Sequence, residues 1–308
     1  SYTHTKLDYR MLNQTVETYI PSSLTDAKQT SLAAFTSWSR QFGKFSLSAG
    51  LRYEYVDYLF TVDGEKDTDV SRTNHFFTPD ISLSYSFNET FMVNLSYKMA
   101  TVKPPYSQLT SGTTYAGEHE IEGGNPMLRD EKMQNLQLFG QWKDFMLQVD
   151  YIRSLDTYAF VKQIYPASTL QMLLHPVNVN VSELSTCLIW GHPVKFWRPE
   201  VTLGMSKPWM KLGSNSYNKP IYSYNFQNSI SLPKDFYVSA NMRGQSRGDM
   251  HTNHFTGSWF IMDMSVRKTF LKKTLSIKLT ATDIFNTRNN DWSMYTYGIL
   301  MNKYQSYD

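Results

Sequence analysis

Apolar and polar residues alternate along most of this chain, as they do in β-strands with two different faces. One stretch has an apolar row on one side and a serine row on the other: Ile81, Leu83, Tyr85 and Phe87 against Ser82, Ser84 and Ser86. Similar alternation begins at Phe45, Phe91, Phe145, Phe236 and Leu275. Because successive side chains of a strand point to opposite faces, each stretch predicts a strand with one apolar and one polar face.

Six short polar segments flanked by aromatic residues predict tight turns between these strands. They cover residues 41–45, 87–91, 142–145, 196–200, 233–237 and 270–274. From Gly43 to Glu89, Asp144, Arg198, Lys234 and Lys272 the steps are 46, 55, 54, 36 and 38 residues. Each step is long enough for two strands and a longer connection at the far end. Tight turns at one end, long connections at the other and aromatic residues beside the turns are typical of a membrane-spanning β-barrel.

The predicted fold is all-β, an antiparallel transmembrane β-barrel wall of about fourteen strands. Six turns join twelve strands, another strand precedes residue 11, and a second extended stretch follows residues 288–291. Long connections are expected near residues 11–26, 63–73, 102–128, 156–170, 207–219, 245–257 and 286–300. The stretch 170–195 is the least regular, because Pro176 and Pro193 interrupt it and proline cannot donate to a strand ladder.

A soluble β-sandwich also alternates apolar and polar positions, so alternation alone does not identify the environment. Aromatic residues make up 15% of the chain and lie beside the turns, where a soluble turn does not need them. Charged residues make up 19%, below the roughly 25% typical of soluble domains. No stretch has the roughly 20 consecutive apolar residues that a membrane helix requires. These observations favour a membrane barrel over a sandwich and exclude a helical membrane protein.

Charge and cysteine content limit the possible partners. The 30 basic and 27 acidic residues are dispersed, and no basic run indicates a nucleic-acid partner. The single cysteine, Cys187, cannot form an internal disulfide. No linker or repeat divides the chain, so we expect one domain over residues 1–308. Residue 1 opens directly into a strand-like pattern, so any export signal is expected to have been removed or to lie upstream.

Three segments carry more specific patterns than alternation. They are 103–109 (Lys-Pro-Pro-Tyr-Ser-Gln-Leu), 123–131 (Gly-Gly-Asn-Pro-Met-Leu-Arg-Asp-Glu) and 279–287, which contains Asp283-Ile284-Phe285-Asn286. Physically, the prolines end a strand and the Gly-Gly-Asn-Pro cluster turns the chain back. In this order, they resemble the Arg-Pro-x-Tyr-x-x-Leu, Gly-Asn-Pro-x-Leu-x-x-Glu and penultimate-strand segments of TonB-dependent outer-membrane receptors, with Lys103 where arginine is usual. The detailed pattern is most similar to the outer-membrane barrel family abundant in Bacteroidetes.

The resemblance implies a place in the bacterial outer membrane and a 22-stranded barrel with a plugged lumen. The chain would then be the C-terminal portion of the barrel and form a partial arc. The plug domain and the first strands would lie upstream, and a last strand downstream. Expected partners are outer-membrane lipid and the TonB complex acting through the plug, with a surface lipoprotein as a further candidate. We expect the two ends of the sheet in residues 1–308 not to pair with each other.

The resemblance also implies active uptake of a scarce ligand, of the siderophore, oligosaccharide or peptide class, that the outer loops capture. Candidate ligand contacts are aromatic and polar residues of long connections: Tyr115, His119 and Trp292. No cofactor or metal is expected. His251 and His254 would point to opposite faces at strand spacing, and no carboxylate or cysteine cluster completes a ligand set.

Two other function classes stay open. A self-contained, 14-stranded passive channel fits the strand count, but it has no reason to carry the receptor-like segments at 125–126 and 283–286. A barrel enzyme would need a serine or acid beside a histidine such as His175 or His192. No catalytic motif accompanies either histidine, so we expect the chain not to be an enzyme. A closed barrel within residues 1–308 would favour the channel.

Overall fold

Twenty β-strands and one short 3-10 helix (Tyr106–Gln108) form the described part of the computed structural model. The structure describes residues 2–11, 23–117, 119–165, 171–271, 274–288, 292–296 and 299–303. The strands are β1 Tyr2–Met11, β2 Ser23–Phe42, β3 Phe45–Val62, β4 Glu65–Asn88, β5 Phe91–Val102, β6 Thr113–Gly117, β7 Glu120–Gly123, β8 Glu131–Trp142, β9 Phe145–Ile164, β10 Met172–Gly191, β11 Trp197–Leu212, β12 Asn215–Tyr217, β13 Ile221–Leu232, β14 Phe236–Gln245, β15 Gly248–Met250, β16 Asn253–Phe255, β17 Trp259–Phe270, β18 Leu275–Ala281, β19 Trp292–Thr296 and β20 Ile299–Lys303.

Most of the strands form one large sheet, the wall. Thirteen of them lie side by side in the order β1-β2-β3-β4-β5-β8-β9-β10-β11-β13-β14-β17-β18, and neighbours along this path are antiparallel. Within the described residues, β1 pairs only with β2 and β18 only with β17, so the wall is open at both edges. The all-β antiparallel fold class is therefore confirmed, and so is the prediction that the two ends do not pair.

Four of the six predicted tight turns lie where the alternation placed them: those at 41–45, 87–91, 142–145 and 233–237. They define one end of the wall, the short-turn rim. The sixth turn, between Phe270 and Leu275, includes residues 272–273, which lie outside the described part. The fourth turn was predicted wrongly at 196–200. β10 continues to Gly191 and β11 begins at Trp197, so the turn covers residues 192–196 and contains the His192–Pro193 pair that had marked an irregular stretch.

Pro176 does not interrupt β10, contrary to the prediction. The Pro176 carbonyl accepts a hydrogen bond of 2.9 Å from Nδ2 of Asn125, so it points away from β9. In an antiparallel strand the nitrogen of a residue faces the same side as its carbonyl, so the missing N–H of the proline also faces away from β9. On that side, β11 joins β10 only from Val181 onward. The ladder therefore loses no hydrogen bond at Pro176, which makes the proline compatible with the strand.

The long connections at the other end of the wall contain further β-structure, and we call this end the long-hairpin end. The connection predicted over 63–73 is instead a tight turn at Asp63-Gly64, where φ is 51° and 88°. Two successive positive φ angles fit a type I′ turn, for which Asp-Gly is a preferred pair. The connections at 102–128, 207–219 and 245–257 contain β6, β7, β12, β15 and β16. The connection predicted over 156–170 is wrong for residues 156–164, which continue β9. Residues 12–22 and 166–170 of the first and fourth predicted connections lie outside the described part.

The predicted fourteenth wall strand is wrong. The extended stretch after residue 291 forms β19 and β20, which belong to a separate four-stranded sheet in the order β15-β16-β19-β20. β19 pairs with β16 through Phe255↔Trp292, His254↔Ser293 and Asn253↔Met294. This long-range pairing draws the stretch away from the wall.

The two faces of the wall match the predicted rows. Phe45, Leu51 and Leu83 are 48%, 47% and 41% exposed on the apolar face, which we call the outer face. On the inner face, the buried carboxylate of Asp150 accepts hydrogen bonds from Gln137 (2.8 Å) and Gln148 (2.6 Å). An exposed apolar face opposite a hydrogen-bonded polar face is the arrangement of a membrane barrel wall. No helix in the described part of the chain is long and apolar enough to cross a membrane.

Candidate functional site

The segment 103–109 lies against the inner face of β2 and β3 at the long-hairpin end. Nζ of Lys103 is 2.8 Å from Oε1 of Glu54 and also donates to Oγ of Ser31 at 3.0 Å. The Tyr106 hydroxyl donates to Oε1 of Gln29 at 2.6 Å. These side-chain bonds join residues 49 to 77 positions apart. The Lys103 that replaces the usual arginine therefore still forms an ion pair with the wall.

The segment 123–131 packs beside it and makes contacts of the same kind. Leu128 and Leu109 are fully buried in a cluster that includes Val56 and Phe60 of β3. Oδ1 of Asn125 accepts from the amide of Met127 at 3.0 Å, which closes a local turn. The residues that carry the receptor resemblance in both segments thus hold a packed core inside the wall.

A buried polar group links this core to β3 and β4. The Tyr58 hydroxyl donates to Oδ1 of Asp130 at 3.0 Å, and Nδ2 of Asn74 donates to Oδ2 of the same carboxylate at 3.3 Å. The Arg72 guanidinium lies 5.1 Å from the Tyr58 ring centroid and donates to the carbonyl of Leu128. Because a strand crosses a bilayer in about 9–11 residues, this group lies beyond the spans that start at the short-turn rim.

The pKa values of the same group reflect its burial. Burial raises the pKa of the Asp130 carboxyl, although the hydrogen bond from Tyr58 and the charge of Arg72 oppose the rise. Burial and the Asp130 charge both raise the pKa of Tyr58 well above its ordinary value. Tyr58 therefore stays protonated and remains a hydrogen-bond donor over the physiological pH range.

The third motif also has a structural explanation. The carboxylate of Asp283 accepts hydrogen bonds from the amides of Thr287 (3.0 Å) and Arg288 (3.1 Å), just after β18. Asp283 and Asn286 have φ of 47° and 49°, a left-handed conformation that Asp and Asn adopt more readily than most residues. This segment therefore forms a capped turn at the end of the wall strand.

Two of the three predicted ligand contacts lie on one hairpin, formed by β6 and β7. Tyr115 lies in β6 and is 48% exposed, and His119 lies in the turn and is also exposed. The amide of Met172 donates to the His119 carbonyl at 2.9 Å, beside the parallel pairing of β7 with β10. Ile121 of the same hairpin is fully buried, and Glu120 forms an ion pair with Lys162. The hairpin is thus anchored along β7 by its pairing with β10, while the side chains of Tyr115 and His119 face solvent.

The structure does not bring Trp292 onto this hairpin. Trp292 begins β19 in the four-stranded sheet and is paired there with Phe255, and its side chain lies outside the described part. A role for Tyr115, His119 or Trp292 in ligand contact stays a prediction.

The four-stranded sheet is tied to the wall through His254. Its Nδ1 lies 2.6 Å from Oδ1 of the buried Asp249, and its ring stacks on Tyr217 of β12 at 4.5 Å. Oδ2 of Asp249 accepts from the amides of Asn218 and Lys219 at 2.7 and 2.9 Å. The alternation pattern does not predict the contact with Tyr217, because β12 and β16 are separate elements of the chain.

Two other observations bear on the alternative chemistries. No group of three or more His, Cys, Asp or Glu side chains that could hold a metal occurs among the described residues. His192 has an acidic partner that the sequence did not reveal, since its Nδ1 is 2.8 Å from Oδ2 of Asp144. This pair lies on the short-turn rim, and no hydrogen bond joins a described serine to His192.

A cavity of about 750 Å³ lies at the long-hairpin end between β10 and β11. It exists because the two strands separate above the pair Val181↔Met210, where β11 turns into its hairpin with β12. Its lining combines Arg153, Lys211 and Trp209 with apolar residues such as Val179. The local alternation of each strand gives no signal for this cavity, since it depends on where two neighbouring strands part.

Comparisons with solved structures show the same fold at low sequence identity. The FrpB iron transporter from Neisseria meningitidis (F3-3 variant) matches with a TM-score of 0.60 and 13% identity, over 94% of this chain and 44% of that one. The ferric yersiniabactin uptake receptor FyuA from Yersinia pestis matches with a TM-score of 0.59 and 13% identity, over 99% of this chain and 48% of that one. The siderophore receptor PirA from Pseudomonas aeruginosa matches with a TM-score of 0.54 and 11% identity, over 93% of this chain and 61% of that one.

The chain therefore spans about half the length of the solved structures that it matches. No curated protein matches it. The model of one protein family, described as the outer membrane protein β-barrel family, matches residues 1–308. This match agrees with the exposed apolar outer face, the antiparallel wall and the receptor-like segments. The chain belongs to the outer membrane protein β-barrel family and resides in the bacterial outer membrane.

Proposed function

We propose that this chain forms part of the barrel wall of a TonB-dependent transporter that actively imports a scarce ligand across the outer membrane. The observation that carries the proposal is the open wall of thirteen strands, which matches about half of transporter and receptor barrels. The residues shared with TonB-dependent receptors, such as Lys103, Asn125 and Leu128, support it because they pack inside that wall.

In this proposal, residues 1–308 are the C-terminal portion of a longer barrel whose lumen holds a plug. The TonB complex acts on the plug, and the wall keeps the long-hairpin end in a fixed shape. The ligand binds at that end, where the β6–β7 hairpin presents Tyr115 and His119. A surface lipoprotein that covers this end is a further proposed partner.

Among the three ligand classes, we propose a metal–siderophore complex. The support is that similar solved structures are named as an iron transporter, a siderophore receptor and a ferric yersiniabactin receptor. The pairing of β7 with β10 holds the hairpin in place while Tyr115 and His119 stay exposed, which suits capture of a ligand from solution. A self-contained passive channel is less well supported, since a membrane does not tolerate unpaired strand edges.

The test is uptake of radiolabelled ferric siderophores by cells that carry the full-length protein. The proposal predicts uptake that requires both the protein and an intact TonB system, and that excess oligosaccharide or peptide does not reduce. Uptake that persists without TonB would indicate a passive channel. If excess oligosaccharide or peptide reduces the uptake of ferric siderophore, the proposed ligand class is wrong. The proposal of active transport would still hold as long as uptake requires TonB.

A further inference from the structure

Three basic residues lie on the inner face of the wall close to the short-turn rim, and we call them the inner basic cluster: Arg198 of β11, Arg267 of β17 and Lys278 of β18. The strand pairing assigns them to this face. Asp150 of the inner face is paired with Ser185 of β10, and Ser185 is paired with Ser206 of β11. Because side chains alternate along a strand, the even-numbered residues of β11, Arg198 among them, share the inner face.

Two adjacent rows of side chains bring the three cations into one cleft. The first row begins at Arg198 and continues across the neighbouring strands with three serines: Ser229, Ser239 and Ser265. In the second row, two positions closer to the rim, Tyr237 is paired with Arg267, and Arg267 is paired with Lys278. Both rows line a cleft of about 330 Å³ that contains all three cations.

Two of the cations stand directly opposite each other on neighbouring strands, since Arg267 is paired with Lys278. Like charges in this position destabilise an antiparallel pair. The guanidinium carbon of Arg267 lies 4.4 Å from the ring centroid of Tyr237. This cation–π contact positions the guanidinium and leaves its charge in place. The repulsion between Arg267 and Lys278 therefore needs an anion to offset it.

The protein does not supply that anion from the described residues. No carboxylate among them lines the cleft or forms an ion pair with any of the three cations. Glu200, two positions from Arg198 on the same strand, lies one row further from the rim and lines a neighbouring cleft. By contrast, Arg243 on the inner face is 3.5 Å from Asp263. The inner basic cluster thus concentrates positive potential that attracts an anion from outside the protein.

The spacing of the cations favours a ligand with several anionic groups. The path from Arg198 to Arg267 crosses from β11 through β13 and β14 to β17, about 14 Å at roughly 4.8 Å between neighbouring strands. A guanidinium binds a carboxylate through two parallel hydrogen bonds. The serine hydroxyls between the cations can donate to further ligand oxygens. Several carboxylates on one molecule match charges spread over this distance better than a single compact anion does.

We propose that the inner basic cluster binds a small molecule that carries two or more carboxylates. One carboxylate lies between Arg267 and Lys278 and offsets their repulsion, and another pairs with Arg198. The row of serines between them holds the rest of the molecule by hydrogen bonds. This site is separate from the ligand site of the proposed function, because it lies at the opposite end of the wall, beside the short-turn rim.

The test is calorimetric titration of the full-length protein, in nanodiscs of neutral phosphatidylcholine, with citrate as the probe. The wild type is compared with the double variant Arg267→Gln/Lys278→Gln. The matched control is Arg40→Gln/Lys268→Gln, which also removes one arginine and one lysine near the rim, but from the outer face. We expect the double variant to bind citrate about tenfold more weakly, since it loses charge-assisted hydrogen bonds, and the control to match the wild type.

A second titration separates a polycarboxylate from a compact anion. Inorganic phosphate replaces citrate for the wild type, and citrate binding is also measured for Arg198→Gln. Weaker binding of phosphate than of citrate, together with weaker citrate binding by Arg198→Gln, supports the proposal. Equal affinity for phosphate and citrate, or unchanged citrate binding by Arg198→Gln, overturns the polycarboxylate assignment. Absence of citrate binding by the wild type, or equal binding by Arg267→Gln/Lys278→Gln, overturns the site itself.

Discussion

The Tyr58 hydroxyl donates a hydrogen bond of 3.0 Å to the carboxylate of Asp130, although the two residues are 72 positions apart in the chain. The bond joins β3 to the segment that turns the chain back toward β8. Both groups are buried, so neither can exchange this partner for bulk water. The relationship makes the receptor-like segment a structural part of the wall.

Replacing Tyr58 with phenylalanine should therefore destabilise the protein. Tyr58→Phe leaves one oxygen of a buried carboxylate without its donor, and we expect a loss of about 1–3 kcal/mol in the free energy of unfolding. The measurement is urea-induced unfolding of the full-length protein in lipid vesicles. Tyr53→Phe is the matched control, because the Tyr53 hydroxyl bonds His75 at an exposed position of the same strand. An equal loss in both variants would contradict the role of the buried bond.

Sequence patterns predicted what depends on neighbouring residues, and missed what depends on distant ones. The alternation from Phe45 and the short polar turns located the wall strands, because face and turn chemistry are local. The Tyr58–Asp130 bond and the stacking of His254 on Tyr217 join elements that are far apart in the chain, so no local pattern predicts them. The prediction at Asp63-Gly64 failed for a different reason. The Asp-Gly pair is itself a turn signal, but a long connection over 63–73 was predicted there instead.

Gly124 should not tolerate a side chain. A Cβ at this position would lie 2.4 Å from the carbonyl oxygen of Thr110 and 2.9 Å from that of Gln108, so backbone would have to move. We expect Gly124→Ala to lower the free energy of unfolding by about 1–3 kcal/mol through overpacking. Gly140→Ala in β8 is the control, since a Cβ there meets nothing within 4 Å. A tolerated Gly124→Ala, measured in the same unfolding assay, would show that the segment is loosely packed.

His175 should make the upper part of the β9–β10 hairpin sensitive to acid. Burial lowers the pKa of His175, and its Nε2 is buried without a hydrogen-bond partner. A depressed pKa in the folded state means that the neutral form is favoured there. The stability it contributes is complete above the ordinary histidine pKa of about 6.5 and is lost as the pH falls through the lower folded value.

Hydrogen exchange of the amides of residues 172–180 measures this effect. After correction for intrinsic rates, we expect less protection at pH 5 than at pH 7.5, and His175→Leu should remove the difference. His251→Leu, in the exposed turn between β15 and β16, is the control and should leave the difference intact. If the His175→Leu protein loses the same amide protection at pH 5, the loss is caused by the titration of another group.

The exposed side chains of Tyr115 and His119 on the β6–β7 hairpin should contribute to ligand affinity. We expect Tyr115→Ala combined with His119→Ala to weaken ligand binding about tenfold without changing the free energy of unfolding, because both side chains face solvent. The binding constant of the full-length protein for its ligand is the quantity to measure. Trp292→Ala, in the separate sheet, tests the third predicted contact by itself. If the double variant binds as well as wild type, the ligand site lies elsewhere at the long-hairpin end.

The central claim is that this chain is a wall of an outer-membrane barrel, with its long hairpins outside the cell and its short turns in the periplasm. Labelling of intact cells with a membrane-impermeant maleimide tests it most directly. Full-length protein with Cys187→Ala would carry either Tyr115→Cys at the long-hairpin end or Lys143→Cys at the short-turn rim. We predict that the Tyr115→Cys protein is labelled in intact cells and that the Lys143→Cys protein is labelled only after the cells are opened. Labelling of Lys143→Cys in intact cells, with Tyr115→Cys protected, would contradict the account.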